Sequence, residues 1–212
     1  MTEKGYLPAE RMSASIRDVP TRYIQFFLIL MILFQSSCQH SVTSPMNLAQ
    51  ASAAADFSAI RRAIEAGESP NPPPEKNETP LGFLLHQYKK SDIMKKGEIH
   101  DAAIYLLEQG ADPNALHHGF TPLQIATGQK STILVSMLIK HGGDPSRETV
   151  AGLAPIWQAV YTNNFRVGYE LLRGNANPNS LNTHGQTPLE YLRSQGYIKT
   201  RLMIYLRRFG GH

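Results

Sequence analysis

A chain of 212 residues, 42% hydrophobic and 18% charged, is long enough to bury one sizeable core. Its formal charge is +4, and without residues 1–37 (four cations against three carboxylates) it is +3. So mild a balance with no long basic block argues against nucleic acid as a partner, and a single cysteine excludes a disulfide framework within the chain.

The first distinct stretch is residues 23–34, YIQFFLILMILF. It is about a dozen residues long, short of the roughly 20 that carry a helix across a bilayer. Arg17 and Arg22 precede it and Ser36 and Ser37 follow, the layout of a secretory signal. The long lead-in leaves either Met1 or Met12 as the start. Residues 35–38, Gln-Ser-Ser-Cys, resemble a bacterial lipobox, with Gln35 where that family usually has leucine. The resemblance implies a signal peptide over 1–37, cleaved to leave Cys38 as an acylated N-terminus, and a tether over 38–44. Gln39 stands where an aspartate would retain such a protein at the inner membrane, which implies an outer-membrane anchor facing the periplasm. Several acyl chains hold a membrane firmly, because each buried methylene adds about 0.8 kcal/mol. Ordinary secretion and an uncleaved anchor are the alternatives.

From Pro45 onward the chain repeats itself. The triplets Thr121-Pro122-Leu123, Ala154-Pro155-Ile156 and Thr187-Pro188-Leu189 are 33 residues apart, as are the exit turns Asp144-Pro145-Ser146 and Asn177-Pro178-Asn179. Thr79-Pro80-Leu81 and Asp112-Pro113-Asn114 are earlier copies of the same start and stop signals. Each unit predicts a short helix, a turn and a longer helix whose apolar face needs a neighbouring copy to cover it.

In the first unit, Leu48, Ala49, Ala51 and Ala53-Ala54-Ala55 predict one helix, and Ile60, Ala63 and Ile64 behind an Asp56 cap predict the second. Gly67 ends it. The second unit carries about ten extra residues near 89–98, either a solvated loop or helix extension or a basic contact finger for an acidic partner or anionic lipid. In the third, Leu123, Ile125, Ala126, Leu134, Met137 and Leu138 are the expected core. In the fourth, Ala154 replaces the threonine, Asn175 stands for the helix-ending glycine, and Leu171 and Leu172 point inward. In the fifth, Ile198, Leu202 and Leu206 predict the buried stripe, with Lys199, Arg201, Arg207 and Arg208 outside.

This pattern closely resembles the ankyrin repeat. The resemblance implies an all-α solenoid of about five repeats, over about 45–74, 75–115, 116–148, 149–181 and 182–212. It also implies protein binding through the loop tips and the inner face of the first helices. Carried over in phase, the tips supply Glu75, Lys76, Glu78, His117, His118, Phe120, Val150, Leu153, Thr183, His184 and Gln186. The inner helices supply His86, Gln87, Gln129, Tyr161, Thr162, Ser194 and Gln195. Phe120, Val150, Leu153 and Tyr161 are apolar or aromatic at nominally exposed places, which predicts an interface centre unless they cover one another between repeats.

No phosphate loop, nucleophile elbow, paired thiols or His-Glu-x-x-His motif is present. His117 and His118 are adjacent, are expected to point apart as exposed turn residues, and have no third ligand at metal spacing. No enzyme activity, cofactor or metal is expected, and the free protein is expected to be a monomer. The combination resembles immunity lipoproteins that neutralise secreted phospholipase effectors of type VI systems, which implies a toxin as partner. An envelope scaffold for an endogenous enzyme is the competing expectation.

Overall fold

A threonine followed by proline at the first helical position starts the first helix of the second, third and fifth repeats. The computed structural model describes residues 46–73, 76–149 and 152–212. Cys38, the 23–34 segment, Glu75 and Val150 therefore lie outside the described residues. The helices are α1 (Leu48–Ala53), α2 (Phe57–Glu65), α3 (Pro80–Gln87), α4 (Ile93–Glu108) and α5 (Pro122–Gly128). They continue as α6 (Thr132–Lys140), α7 (Pro155–Tyr161), α8 (Phe165–Arg173), α9 (Pro188–Ser194) and α10 (Arg201–Arg208). No strand occurs among the described residues, and the fold is an all-α ankyrin-repeat solenoid.

The caps explain why the helices start where they do. The side chains of Thr79, Thr121 and Thr187 each accept the backbone N–H three residues on. Proline then fills the first helical position, where a missing N–H costs nothing. Ala154 cannot do this, and α7 has no side-chain cap. The second helices are capped by Asp56, Asp92, Ser131, Asn164 and Thr200.

Left-handed residues make the turns. Ala55, Lys130, Asn163 and Gly196, with φ of 52°, 58°, 45° and 79°, turn the chain from first helix to second. Ala53-Ala54-Ala55 is thus not a continuous helix as the composition predicts: α1 ends at Ala53, and Ala55 takes the turn conformation. Asn175, at φ 69°, closes α8 where Gly142 closes α6, because asparagine tolerates that region best after glycine.

First helices pack beside first helices in an inner layer, and second helices form an outer layer, with the core between them. Ile60, Leu84, Leu106, Leu123, Leu138, Leu171 and Leu206 are fully buried, and the other expected core positions of the third and fourth repeats are buried. Each such side chain contributes about 1.5–3 kcal/mol by leaving water, and the neighbouring repeat supplies much of the cover. All core residues among those described lie between Leu48 and Leu206, and residues 46–212 form their own compact unit.

One sequence expectation changes, and the extra residues of the second repeat take one of the forms expected of them. The last helix begins at Arg201 behind the Thr200 cap, so Ile198 is not in the buried stripe but 77% exposed, and Met203 takes its place beside Leu202 and Leu206. The extra residues of the second repeat form a 3-10 turn at Tyr88–Lys90 and then lengthen α4 to 16 residues, a helix extension with Ile93 and Met94 exposed.

Asparagines fasten successive repeats at the exit turns. Asn71 donates to the Gly110 carbonyl and accepts from Asp112 N–H, both at 2.7 Å. Asn114 does the same to Gly142 and Asp144, and Asn179 to Gly210 and His212. Ser146 occupies this position in the third repeat, and its side chain makes no such bracket to the fourth among the described residues.

Candidate protein-binding surface

The tips are small hairpins whose shape follows from their glycines. In the third repeat His117 pairs with Phe120 across a two-residue turn, with His118 at φ 50° and Gly119 at φ 83°. Two positive φ values in succession define the tight turn that suits antiparallel pairing. In the fourth, Thr149 N–H donates to the Leu153 carbonyl with Gly152 at φ 68°; in the fifth, Asn182 N–H donates to Gln186 with Gly185 at φ 72°. His118 N–H donates to the Asn77 carbonyl at 2.8 Å, joining the second and third tips.

His117 corrects the expectation of an exposed turn residue. It is 1% exposed, and its Nδ1 accepts the Thr79 backbone N–H at 2.9 Å. The cause lies in the second repeat. In the third and fifth repeats, Gln124 and Glu190 reach back to accept the N–H of Thr121 and Thr187, closing a capping box. The same position in the second repeat is Gly82, which has no side chain to do so. His117 enters from the next repeat and fills both the space and the bond. A Cβ on Gly82 would lie 2.2 Å from His117 Cγ and 2.4 Å from its Cβ.

Nor do the two histidines point apart. Their rings are 4.4 Å apart, centroid to centroid, with His86 5.3 Å and Phe83 4.6 Å from His117. Burial, with smaller contributions from His118 and His86, lowers the His117 pKa to about 4. Burial also lowers that of His86, helped by His118 and Lys90. Among the described residues no group of three His, Cys, Asp or Glu side chains is placed to hold a metal. The Thr79 N–H already takes one His117 nitrogen, so that nitrogen is held as an unprotonated acceptor.

A second group of rings lies on the inner helices of the fourth and fifth repeats. Tyr161 and Tyr191 meet edge to face at 5.2 Å, and both rest on Trp157, at 5.5 and 5.9 Å. Trp157 is fully buried, and its indole nitrogen has no hydrogen-bond partner among the described residues. Tyr161 is 44% exposed, and burial of its ring side and the adjacent Tyr191 phenol raise its pKa. The pair is thus held from below and open to solvent above.

The remaining expected residues divide. Phe120, His86, His118, Thr162, Thr183 and His184 are exposed, while Gln87, Gln129 and Gln186 are half-buried. Leu153 is half-buried and packs on the core, with its carbonyl accepting from Gln124 Nε2 at 2.9 Å. It packs against the core and does not stand free. Tyr191 was not among the expected residues. Its signal was its place three residues beyond Pro188, on the same helix face that Tyr161 occupies one repeat earlier.

Paired helices, left-handed closures and projecting tips around an open inner layer define a protein-interaction module of the ankyrin type. The ankyrin-repeat family model matches residues 118–149, the third repeat. A mitochondrial disaggregase from Bos taurus is 27% identical over 162 residues, covering 55% of this chain and 24% of that protein. A putative ankyrin repeat-containing protein from Treponema pallidum (strain Nichols) is 33% identical over 78 residues, 35% of this chain and 26% of that protein. The chain thus spans about a quarter of the length of each of these relatives.

Proposed function

We propose that this chain is an envelope-anchored binding module whose inner face captures one protein partner, and most concretely an immunity protein that neutralises a phospholipase effector. The observation that carries the binding is the exposed Tyr161 ring, braced edge to face by half-buried Tyr191 above a fully buried Trp157. Aromatic side chains on a rigid floor are the residues interfaces favour as anchors, because they bury much area and lose little rotamer freedom. An interface of over roughly 1,000 Å² is within reach of an inner face five repeats long.

The anchored, toxin-directed part rests on the lipobox-like residues 35–38 and on the absence of recognisable catalytic motifs in the sequence. A lipid tether at Cys38 would hold the inhibitor where a lipase must work. The second version, a scaffold for an endogenous enzyme, shares the same surface. Purification from the native envelope with mass spectrometry of Cys38 and of co-purifying proteins tests both. An acylated Cys38 and a bound lipase support immunity; a resident enzyme in the lipase's place supports the scaffold. A toxin that still kills cells expressing this protein in the periplasm removes the immunity version.

A further inference from the structure

We propose that the outer face of the last two repeats is a docking surface for anionic lipid headgroups, independent of any acyl anchor. Residues 165–173 and 197–209 make up α8, α10 and the loop leading into α10, and carry six cations against one carboxylate, Glu170. The rest of residues 46–212 holds 11 cations against 13 carboxylates (17 − 6 and 14 − 1), so a face at +5 stands on a body at −2. Arg173 pairs with Glu170 at 3.3 Å; Arg166, Lys199, Arg201, Arg207 and Arg208 are in no ion pair among the described residues.

The cations are interleaved with rings and aliphatic groups. Arg201 lies over Phe165 at 5.0 Å and Arg173 over Tyr169 at 5.9 Å, while Tyr169 stacks near Tyr205 at 4.8 Å. A shallow groove of about 230 Å³ runs between them, lined by Phe165, Arg166, Tyr169 and Tyr205 among others. Ile204 is 57% exposed one turn beyond Arg201, and Tyr197, Ile198 and Phe209 are exposed at the two ends of α10.

Charge complementarity selects the occupant. A second copy would set +5 against +5. Nucleic acid satisfies the guanidinium groups and can stack on rings, but it offers Ile198 and Ile204 nothing. A bilayer surface takes both kinds of group, since phosphates meet the arginines while aliphatic and tyrosine side chains settle at the boundary of headgroup and acyl chain.

Residues 46–212, which carry their own core, are to be sedimented with phosphatidylcholine vesicles, with and without phosphatidylglycerol. Binding is expected only with the anionic lipid and is expected to fall as salt rises. Each cation near such a surface is worth about five-fold in binding, so the triple variant Arg201→Gln, Arg207→Gln, Arg208→Gln should lose about 100-fold. Ile198→Ser with Ile204→Ser should weaken binding while leaving its salt dependence unchanged. Equal binding to both vesicle types, or wild-type binding by the triple variant with an unaltered circular dichroism spectrum, would overturn the proposal. So would tighter capture by a single-stranded oligonucleotide or by polyglutamate than by anionic vesicles. The wild-type salt series decides even if a variant fails to fold.

Discussion

Acidification should loosen the second and third repeats through His117. In the folded chain its Nδ1 must stay unprotonated to accept the Thr79 N–H, and its pKa is lowered to about 4 from an ordinary 6.5. The unfolded chain therefore binds the proton first as pH falls. Stability from this group is complete above about pH 6.5, declines between there and pH 4, and is flat below, since both states are then protonated. Full titration corresponds to about 3 kcal/mol at 1.36 kcal/mol per pH unit, and about 2 kcal/mol of it is lost by pH 5. The assay is urea unfolding of residues 46–212 at pH 7 and pH 5, followed by circular dichroism, for the wild type and His117→Asn. Carboxylates titrate in both proteins, so the difference between their pH dependences isolates the imidazole. The variant should be less stable at pH 7 yet lose about 2 kcal/mol less on acidification. An equal loss in both, or an imidazole resonance of His117 titrating near 6.5, would refute the reasoning.

Gly82→Ala places a methyl against His117 Cβ, which the backbone holds, and should cost about 2 kcal/mol by overpacking in a urea melt. Gly82→Gln with His117→Ala should be less destabilised than the two single changes added together, because the glutamine can close the box as Gln124 does on Thr121; a double-mutant cycle measures this. Ser146→Asn should supply the missing bracket, accepting from Asn177 N–H and donating to the Asn175 carbonyl, and raise stability by about 1 kcal/mol in the same melts. Tyr161→Ala should weaken capture of the partner by about 2 kcal/mol in calorimetry while leaving the circular dichroism spectrum unchanged, since its ring is 44% exposed and Trp157 beneath it stays covered by the core.

The repeat period was legible because each copy must bury the same positions against its neighbours. Thr-Pro starts and glycine or asparagine closures are local requirements of the backbone, visible without any partner. What escaped was exchange between repeats. His117 looks like a turn residue until Gly82, 35 positions earlier, is known to leave a hole at its side. Ile198 falls in the right phase for a helix, but the turn before the Thr200 cap is three residues longer than those before Ser131 and Asn164. Tyr161 was legible as an aromatic out of place, whereas Tyr191 became its partner only once α7 and α9 were side by side.

The fourth repeat departs from its neighbours at three shared devices. Ala154 gives α7 no cap, Trp157 stands where Gln124 and Glu190 close the box, and Ser146 leaves out the asparagine bracket at its entrance. The stability of a stack is close to a sum of repeat terms and neighbour terms, so a repeat with fewer polar fastenings leans more on apolar packing. Trp157 supplies that packing, buried completely between Tyr161 and Tyr191. The same substitution that fills the space of a lost hydrogen-bond bridge also raises two tyrosines on the inner face. In this repeat the loss of the shared polar pattern and the gain of stacked rings on the inner helices go together: Trp157 takes the place of the box-closing side chain and carries Tyr161 and Tyr191 against its face.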